Sequence, residues 1–152
     1  MLSLEEKIGQ MGMVGFYGLE PPDYILDWLA SGRIGGVILF ARNIESPAQV
    51  AALTSACHAA AKLPILIAID QEGGSVARLH EGFTQSPGAM ALGAAGSEDL
   101  AFRVSKMLAT EMRALGINWD YAPVLDIAHD ISNPSVGTRS LGTDKYEVSR
   151  LA

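Results

Sequence analysis

Short apolar runs rich in β-branched residues alternate along this chain with longer stretches whose apolar positions recur every three or four residues. Ser3-Leu4-Glu5-Glu6 has capping-box spacing: the Ser3 oxygen can accept from an early helix N–H while Glu6 reaches back to the N–H of Ser3. That predicts a short helix ending near Gly9. Gln10 to Tyr17 reads as a weak, Gly-interrupted strand, and Pro21 to Ala30 as a helix closed by Gly32. Ile34 to Phe40 is a buried strand, apolar along its second half without alternation. Ser46 before Pro47 joins a capping oxygen to a first-turn residue with no N–H to waste. The helix it opens runs to about Ala61, with Val50, Leu53, Cys57 and Ala60 on one stripe. Ile65 to Ile69 is the third strand and stops at Asp70. Ser97 caps a long helix with Leu100, Val104, Met107, Leu108, Met112 and Leu115 facing inward, and Gly116 ends it. Ile117 to Tyr121 is a fourth strand, followed by a polar loop to about Gly142 and a last helix opening at Thr143.

Strands without polar alternation, separated by helices, predict a parallel sheet covered on both faces. A closed eight-unit barrel takes about 250 residues. The expected fold is therefore α/β: the first four β/α units of a (β/α)8 TIM-type barrel, a half barrel of parallel strands occupying residues 1–152 as one incomplete domain. An open doubly wound sheet is the competing architecture, but no G-x-G-x-x-G follows any strand. A half barrel leaves two sheet edges and an apolar face uncovered, so the remainder of the barrel, or self-association, is the expected partner.

Composition narrows the function. Eleven basic residues stand against 17 acidic ones, a formal charge of −6, which argues against nucleic acid. Apolar residues make up 49% of the chain, enough for a real core. Cys57 is the lone cysteine, which excludes an internal disulfide framework and a thiolate metal cage, and it reads as a small core residue. Met11, Met13, Met107 and Met112 read likewise as core filler. His58, His80 and His129 lie scattered in three segments without ligand spacing, so no metal is expected. No apolar run approaches the ~20 residues that span a bilayer. Met1 to Lys7 is too polar for a signal peptide, so the expected compartment is the cytoplasm, or the exterior if an N-terminal signal has been removed.

Parallel α/β folds place function at the carboxyl ends of their strands. Arg42 and Asn43 follow the second strand. Asp70-Gln71-Glu72-Gly73-Gly74 and then Arg78 follow the third. Asp126, His129, Asp130, Asn133, Arg139 and Ser140 follow the fourth. A carboxylate at the tip of a buried strand is partly desolvated and wants a cation or hydroxyl donors. Asp70 flanked by the guanidinium forks of Arg78 and Arg139 would suit the paired hydroxyls of a sugar, each of which both donates and accepts. Gly73-Gly74 reads as a tight turn needing positive φ, Glu72 as a structural partner for a nearby arginine, and Asp126 as fixing its loop through backbone bonds.

Gly35-Gly36-Val-Ile-Leu-Phe40-Ala-Arg42-Asn43, then Ile69-Asp70-Gln71-Glu72-Gly73-Gly74 with Val76 and Arg78-Leu79, then Ala122-Pro123-Val124-Leu125-Asp126 with Asn133-Pro134 and Gly137-Thr138-Arg139-Ser140, resemble the N-terminal barrel half of glycoside hydrolase family 3. The resemblance covers essentially the whole chain. The Leu-Phe-Ala-Arg-Asn and Asp-Gln-Glu-Gly-Gly segments are closer to the β-N-acetylhexosaminidase branch than to the β-glucosidases. It implies hydrolysis of terminal β-linked sugars, N-acetylglucosamine foremost, with retention and through a covalent glycosyl-enzyme on an aspartate, without a cofactor. It further implies that Asp70 grips hydroxyls of the non-reducing sugar, that Arg78 braces this end of the site, and that Arg139 also reaches the sugar. Ser75 departs from the arginine usual after Gly-Gly, at a position expected to face outward. The family's Lys-His-Phe-Pro-Gly-His-Gly segment, acid/base loop and nucleophile match nothing in this chain and are expected beyond Ala152, so these residues alone should bind sugar weakly and cleave nothing. The competing readings are a non-catalytic sugar-binding or interaction half barrel, and a β-glucosidase.

Overall fold

The computed structural model describes residues 1–130 and 132–152. They pack as two compact units, one of Met1–Ile69 with Met112–Trp119 and the other of Asp70–Glu111 with Asp120–Ala152. The first holds helix α1 (Leu4–Gly9), strand β1 (Met13–Gly15), α2 (Asp23–Ala30), β2 (Gly36–Leu39), α3 (Pro47–Ala60) and β3 (Leu66–Ile69). Then follow α4 (Ala89–Ala95), α5 (Glu98–Ala114), β4 (Trp119–Asp120) and α6 (Lys145–Leu151), with short 3-10 turns at Ala41–Asn43 and Gly137–Arg139. The sheet order is β1-β2-β3-β4, and β1 with β2 and β2 with β3 pair parallel. Strict sequential order is that of consecutive barrel units. A doubly wound sheet would reverse it. The expected α/β half barrel is the fold observed.

Local chemistry explains the helix starts. Ser3 and Glu6 exchange both bonds of the capping box. Ser46 accepts from the Gln49 N–H with Pro47 at the first helical position. Val50, Leu53, Thr54 and Cys57 form the buried stripe of α3, where the Thr54 hydroxyl donates to the Leu115 carbonyl. Desolvation pushes the Cys57 thiol up to about 11, so it is an inert core group. The approach to β4 is pinned by Asn118. Its side chain accepts from the Ile67 N–H at 2.8 Å and donates to the Ile65 carbonyl, while its own N–H donates to the Ile67 carbonyl.

Some expectations need correction. Every strand is shorter than its apolar run, and the fourth is two residues. The helix α4 has no counterpart in the sequence reading: its N-cap Gly88 offers no side-chain bond, so nothing local announces it. Leu100 is 37% exposed, because the buried line of α5 runs Ala101, Leu108, Met112, Leu115 and leaves Leu100 one step off the stripe. Met11 is exposed, lying in the turn that follows α1. Asp144, not Thr143, caps α6 by accepting from the Tyr146 and Glu147 N–H groups.

The second unit has its own core of Ala89, Ala101, Leu141, Val148 and Leu151, with Leu92 and Ile127 against it. Within it Gly93 of α4 lies so close to the chain at Leu141 that a Cβ there would overlap the Leu141 carbonyl oxygen. Gly93→Ala would gain about 1 kcal/mol of helix propensity. It should nevertheless destabilise the protein by about 2 kcal/mol, since helix or loop must move to relieve the overlap. Urea denaturation of the variant against wild type checks this, and an unchanged or raised midpoint contradicts it.

Candidate functional site

The polar cluster of the second unit is organised by Gln71, which is 2% exposed. Its side-chain oxygen accepts from the Arg78 N–H at 2.8 Å and the Leu79 N–H at 3.0 Å, and its amide donates to the Leu79 carbonyl at 3.3 Å. A side chain thus stands in for a strand edge, and the backbone returns to it through a turn in which Gly73 and Gly74 have φ of 84° and 57°. Those are left-handed conformations that glycine adopts without strain, as the sequence led one to expect. The turn closes with a Gly73–Val76 bridge.

This return brings Arg78 to Asp70, with Nη2 and Oδ2 3.0 Å apart. The side chains are 27% and 24% exposed, so the pair is reachable by a ligand. Arg78 Nε is buried without a hydrogen-bond partner among the described residues. Leaving such a donor unpaired costs about 1–3 kcal/mol, which the fold bears to keep the guanidinium in place.

Arg139 does not flank Asp70 as a second fork. It makes a bidentate pair with Glu72, Nε to Oε2 at 2.9 Å and Nη2 to Oε1 at 2.7 Å, while Nη1 donates to the Ser135 carbonyl at 2.7 Å. The Glu72 side chain is 6% exposed. Its hydrogen bonds raise the pKa of Arg139, and the charges of Asp70 and Asp126 add to that from farther off. Asp70 thus acts on Arg139 through space, not by contact. The reading of Glu72 as a structural partner for an arginine agrees with this pairing.

The sequence reading passed over Asp120, at the end of β4. Its Oδ1 accepts from the Gln71 N–H at 2.9 Å. Burial pushes its pKa upward, and the neighbouring charges of Asp70 and Glu72 push it further, against the lowering effect of bonds from the Gln71 and Tyr121 backbone. The available signal was an acid near the end of the Ile117 to Tyr121 strand run.

Other candidates build loops. Asp126 gives its carbonyl to the Ser140 hydroxyl, which also bonds Gly142, and its carboxylate stays exposed. Asp130 accepts from the Ser132 N–H and hydroxyl, which lowers its pKa, and Asn133 accepts from the Ser135 N–H. In the first unit Arg42 donates to the Phe16 carbonyl and lies 4.5 Å from the Tyr17 ring centre and 4.4 Å from that of Phe40. The wholly buried Asn43 ties Phe16, Gly18 and Phe40 together. Among the described residues no three His, Cys, Asp or Glu side chains come together as a metal site.

Two carboxylates, each with a guanidinium, present fixed acceptors beside fixed donors, the pattern that paired hydroxyls match. The same unit holds an open groove of about 470 Å³, bordered by Gly74, Ser75, Met90 and Thr138 but by none of the four charged side chains. A parallel β/α half barrel with such a cluster after a strand end belongs to a class whose sites lie on strand-end loops. The comparisons define the class further. Residues 3–152 match the Glycosyl hydrolase family 3 N terminal domain, and the chain belongs to that family. The beta-hexosaminidase of Xylella fastidiosa (strain M23) is 36% identical over 148 residues, 93% of this chain and 44% of the relative. A glycoside hydrolase family 3 beta-N-acetylglucosaminidase from Paenibacillus sp. str. FPU-7 superimposes with a TM-score of 0.95 at 46% identity, covering 99% of this chain and 30% of that one. NagZ from Neisseria gonorrhoeae, solved in complex with N-trifluoroacetyl-D-glucosamine, does so at 0.85 and 35% identity, covering 92% and 44%. The chain thus spans less than half the length of these relatives.

The raised pKa of Asp120 carries a stability consequence. Its charged form is disfavoured in the folded state, so Asp120 weakens the fold at neutral pH, and that loss fades as the pH falls and the carboxyl protonates. Asp120→Asn keeps an oxygen for the Gln71 N–H. It should raise the thermal midpoint at pH 7, with the gain shrinking as the pH falls through the raised pKa and gone below about pH 4. A gain that grows toward acid pH, or a lowered midpoint at pH 7, contradicts this account.

Proposed function

We propose that this chain supplies the sugar-binding part of a retaining β-N-acetylhexosaminidase, an enzyme that releases terminal β-linked N-acetylglucosamine from oligosaccharides or cell-wall fragments. Asp70 accepts from hydroxyls of the terminal, non-reducing sugar. Arg78 holds that carboxylate and donates beside it, and Arg139 reaches the same ring. The bond-breaking groups, a carboxylate nucleophile and a proton donor, are proposed to come from residues outside these 152.

The observation that carries the reading is the Asp70–Arg78 pair, three-quarters buried at a strand end in a chain of this family. A singly bonded pair of this exposure adds about 1 kcal/mol or less to stability. Its placement therefore makes more sense as ligand geometry than as a fold anchor. The name of the Xylella fastidiosa relative and those of the two solved structures favour an N-acetylated amino sugar over glucose.

The test uses the full-length protein with a chromogenic N-acetyl-β-D-glucosaminide. Wild type should turn it over in preference to the β-glucoside. Asp70→Ala should lower kcat/KM about a hundredfold or more, because hydroxyls whose bonds strengthen in the transition state lose their acceptor. Wild-type kinetics in that variant removes Asp70 from the site, and a full-length protein inert toward both glycosides overturns the glycosidase reading.

A further inference from the structure

We propose that Glu72 is a positioning residue that reserves Arg139 for substrate by keeping it away from Asp70. The inference rests on the reading of Asp70 and Arg139 as sugar-binding residues and goes beyond it, since it assigns a task to a carboxylate that would touch no sugar.

Both guanidinium groups and both carboxylates belong to the same unit, and Asp70 and Glu72 are separated by one residue. Arg78 bonds Asp70, and Arg139 bonds Glu72 through two parallel contacts. The side-on fork formed by Nε and Nη2 is the geometry that holds a guanidinium plane in one orientation. Ser135 takes a third N–H. Of the five N–H bonds of a guanidinium, two are thus uncommitted among the described residues, on a group that cannot rotate.

The Arg139–Glu72 pair has other anchors of the same loop beside it. The Arg139 segment is anchored next door by the Ser140 hydroxyl, which lies 2.6 and 2.9 Å from the Asp126 and Gly142 carbonyls with one proton to share between them, and by Leu141 in the core of the unit. Nor does burying Glu72 commend itself as a source of stability. Desolvating a carboxylate offsets much of what its ion pair returns. What the pair does provide is a fixed partition of cations between acids. Asp70 and Asp126 are the next carboxylates whose charge acts on Arg139. With Glu72 neutral, Arg139 is released toward them. At Asp70 it competes with Arg78 for the oxygens that the sugar hydroxyls need.

The experiment uses the full-length enzyme, its N-acetyl-β-D-glucosaminide turnover established first, and places Glu72→Gln, Glu72→Asp, Arg139→Ala and the double variant Glu72→Gln/Arg139→Ala in a cycle. Glu72→Gln should raise KM and lower kcat/KM roughly tenfold, Glu72→Asp should recover part of that loss, and Glu72→Gln should cost less than about twofold once Arg139 is alanine. Circular dichroism and thermal midpoints accompany each variant. If Glu72→Gln does not fold, Glu72→Asp in the wild-type and Arg139→Ala backgrounds decides by the same non-additivity. Wild-type KM in Glu72→Gln, or an equal loss with and without Arg139, overturns the positioning role while leaving the glycosidase reading intact. A wild-type enzyme without turnover removes that reading and this inference together.

Discussion

The candidate site depends on one buried amide. Gln71 follows β3 directly and is buried, and it bonds two N–H groups and one carbonyl of the returning segment at Arg78 and Leu79. An unpaired backbone edge at that depth would cost several times the net value of the bonds made, so the register of the return is fixed by necessity. With that register set, Arg78 meets Asp70. Side chains alternate along extended backbone. A buried Gln71 therefore sends its two neighbours the other way: Asp70 stays a quarter exposed beside Arg78, while Glu72 is covered by its pairing with Arg139. Asp120 completes the frame by accepting from the Gln71 backbone N–H.

Such a frame has an electrostatic cost that shapes the chemistry. Three carboxylates, Asp70, Glu72 and Asp120, lie close enough for their charges to be felt by one another, and two arginines neutralise two of them. The third, Asp120, has a raised pKa chiefly because it is buried, with the charges of Asp70 and Glu72 adding to that. A cluster with no surplus of positive charge, in a chain of net charge −6, is poorly suited to a phosphate or carboxylate ligand. It is well suited to a neutral ligand rich in hydroxyls, which needs acceptors and donors in equal supply. The charge count around Gln71 thus matches a neutral, hydroxyl-rich ligand better than an anion, independently of family membership.

How far this was legible in the sequence depended on distance along the chain. The Ser3–Glu6 capping box, the Ser46-Pro47 start and the Gly73-Gly74 turn are short-range chemistry and appear in the structure as read. The parallel sheet was legible too, because a strand buried on both faces leaves an unbroken apolar run. The helix α4 was not, since Ala-Met-Ala-Leu-Gly-Ala-Ala has no cap at Gly88, and packing against Leu141 and α6 decides it. In the site the residues were visible while their partners were not. Asp70, Arg78 and Arg139 could be named from their strand-end placement, but Arg139 pairs with an acid 67 positions away. Nothing local chooses between Asp70 and Glu72. Asp120 was hidden for the opposite reason, standing in a strand run where an acid reads as solvent-facing.

The two anchors of the loop after β4 do different work, and this separates stability from geometry. Ser140 and Leu141 fix the backbone through hydroxyl–carbonyl bonds and apolar burial, which are short-range and insensitive to charge. Arg139 is fixed through its side chain by a nearly buried carboxylate, a contact of modest net stabilisation and high directional content. Were the ion pair the main anchor, neutralising Glu72 would loosen the loop and blunt every function it has. Because the backbone is held independently, the side chain of Arg139 can be tuned, or mistuned, without unfolding what carries it. A rigid donor on a stable loop thus follows from placing two acids one residue apart and assigning an arginine to each, Arg78 to Asp70 and Arg139 to Glu72.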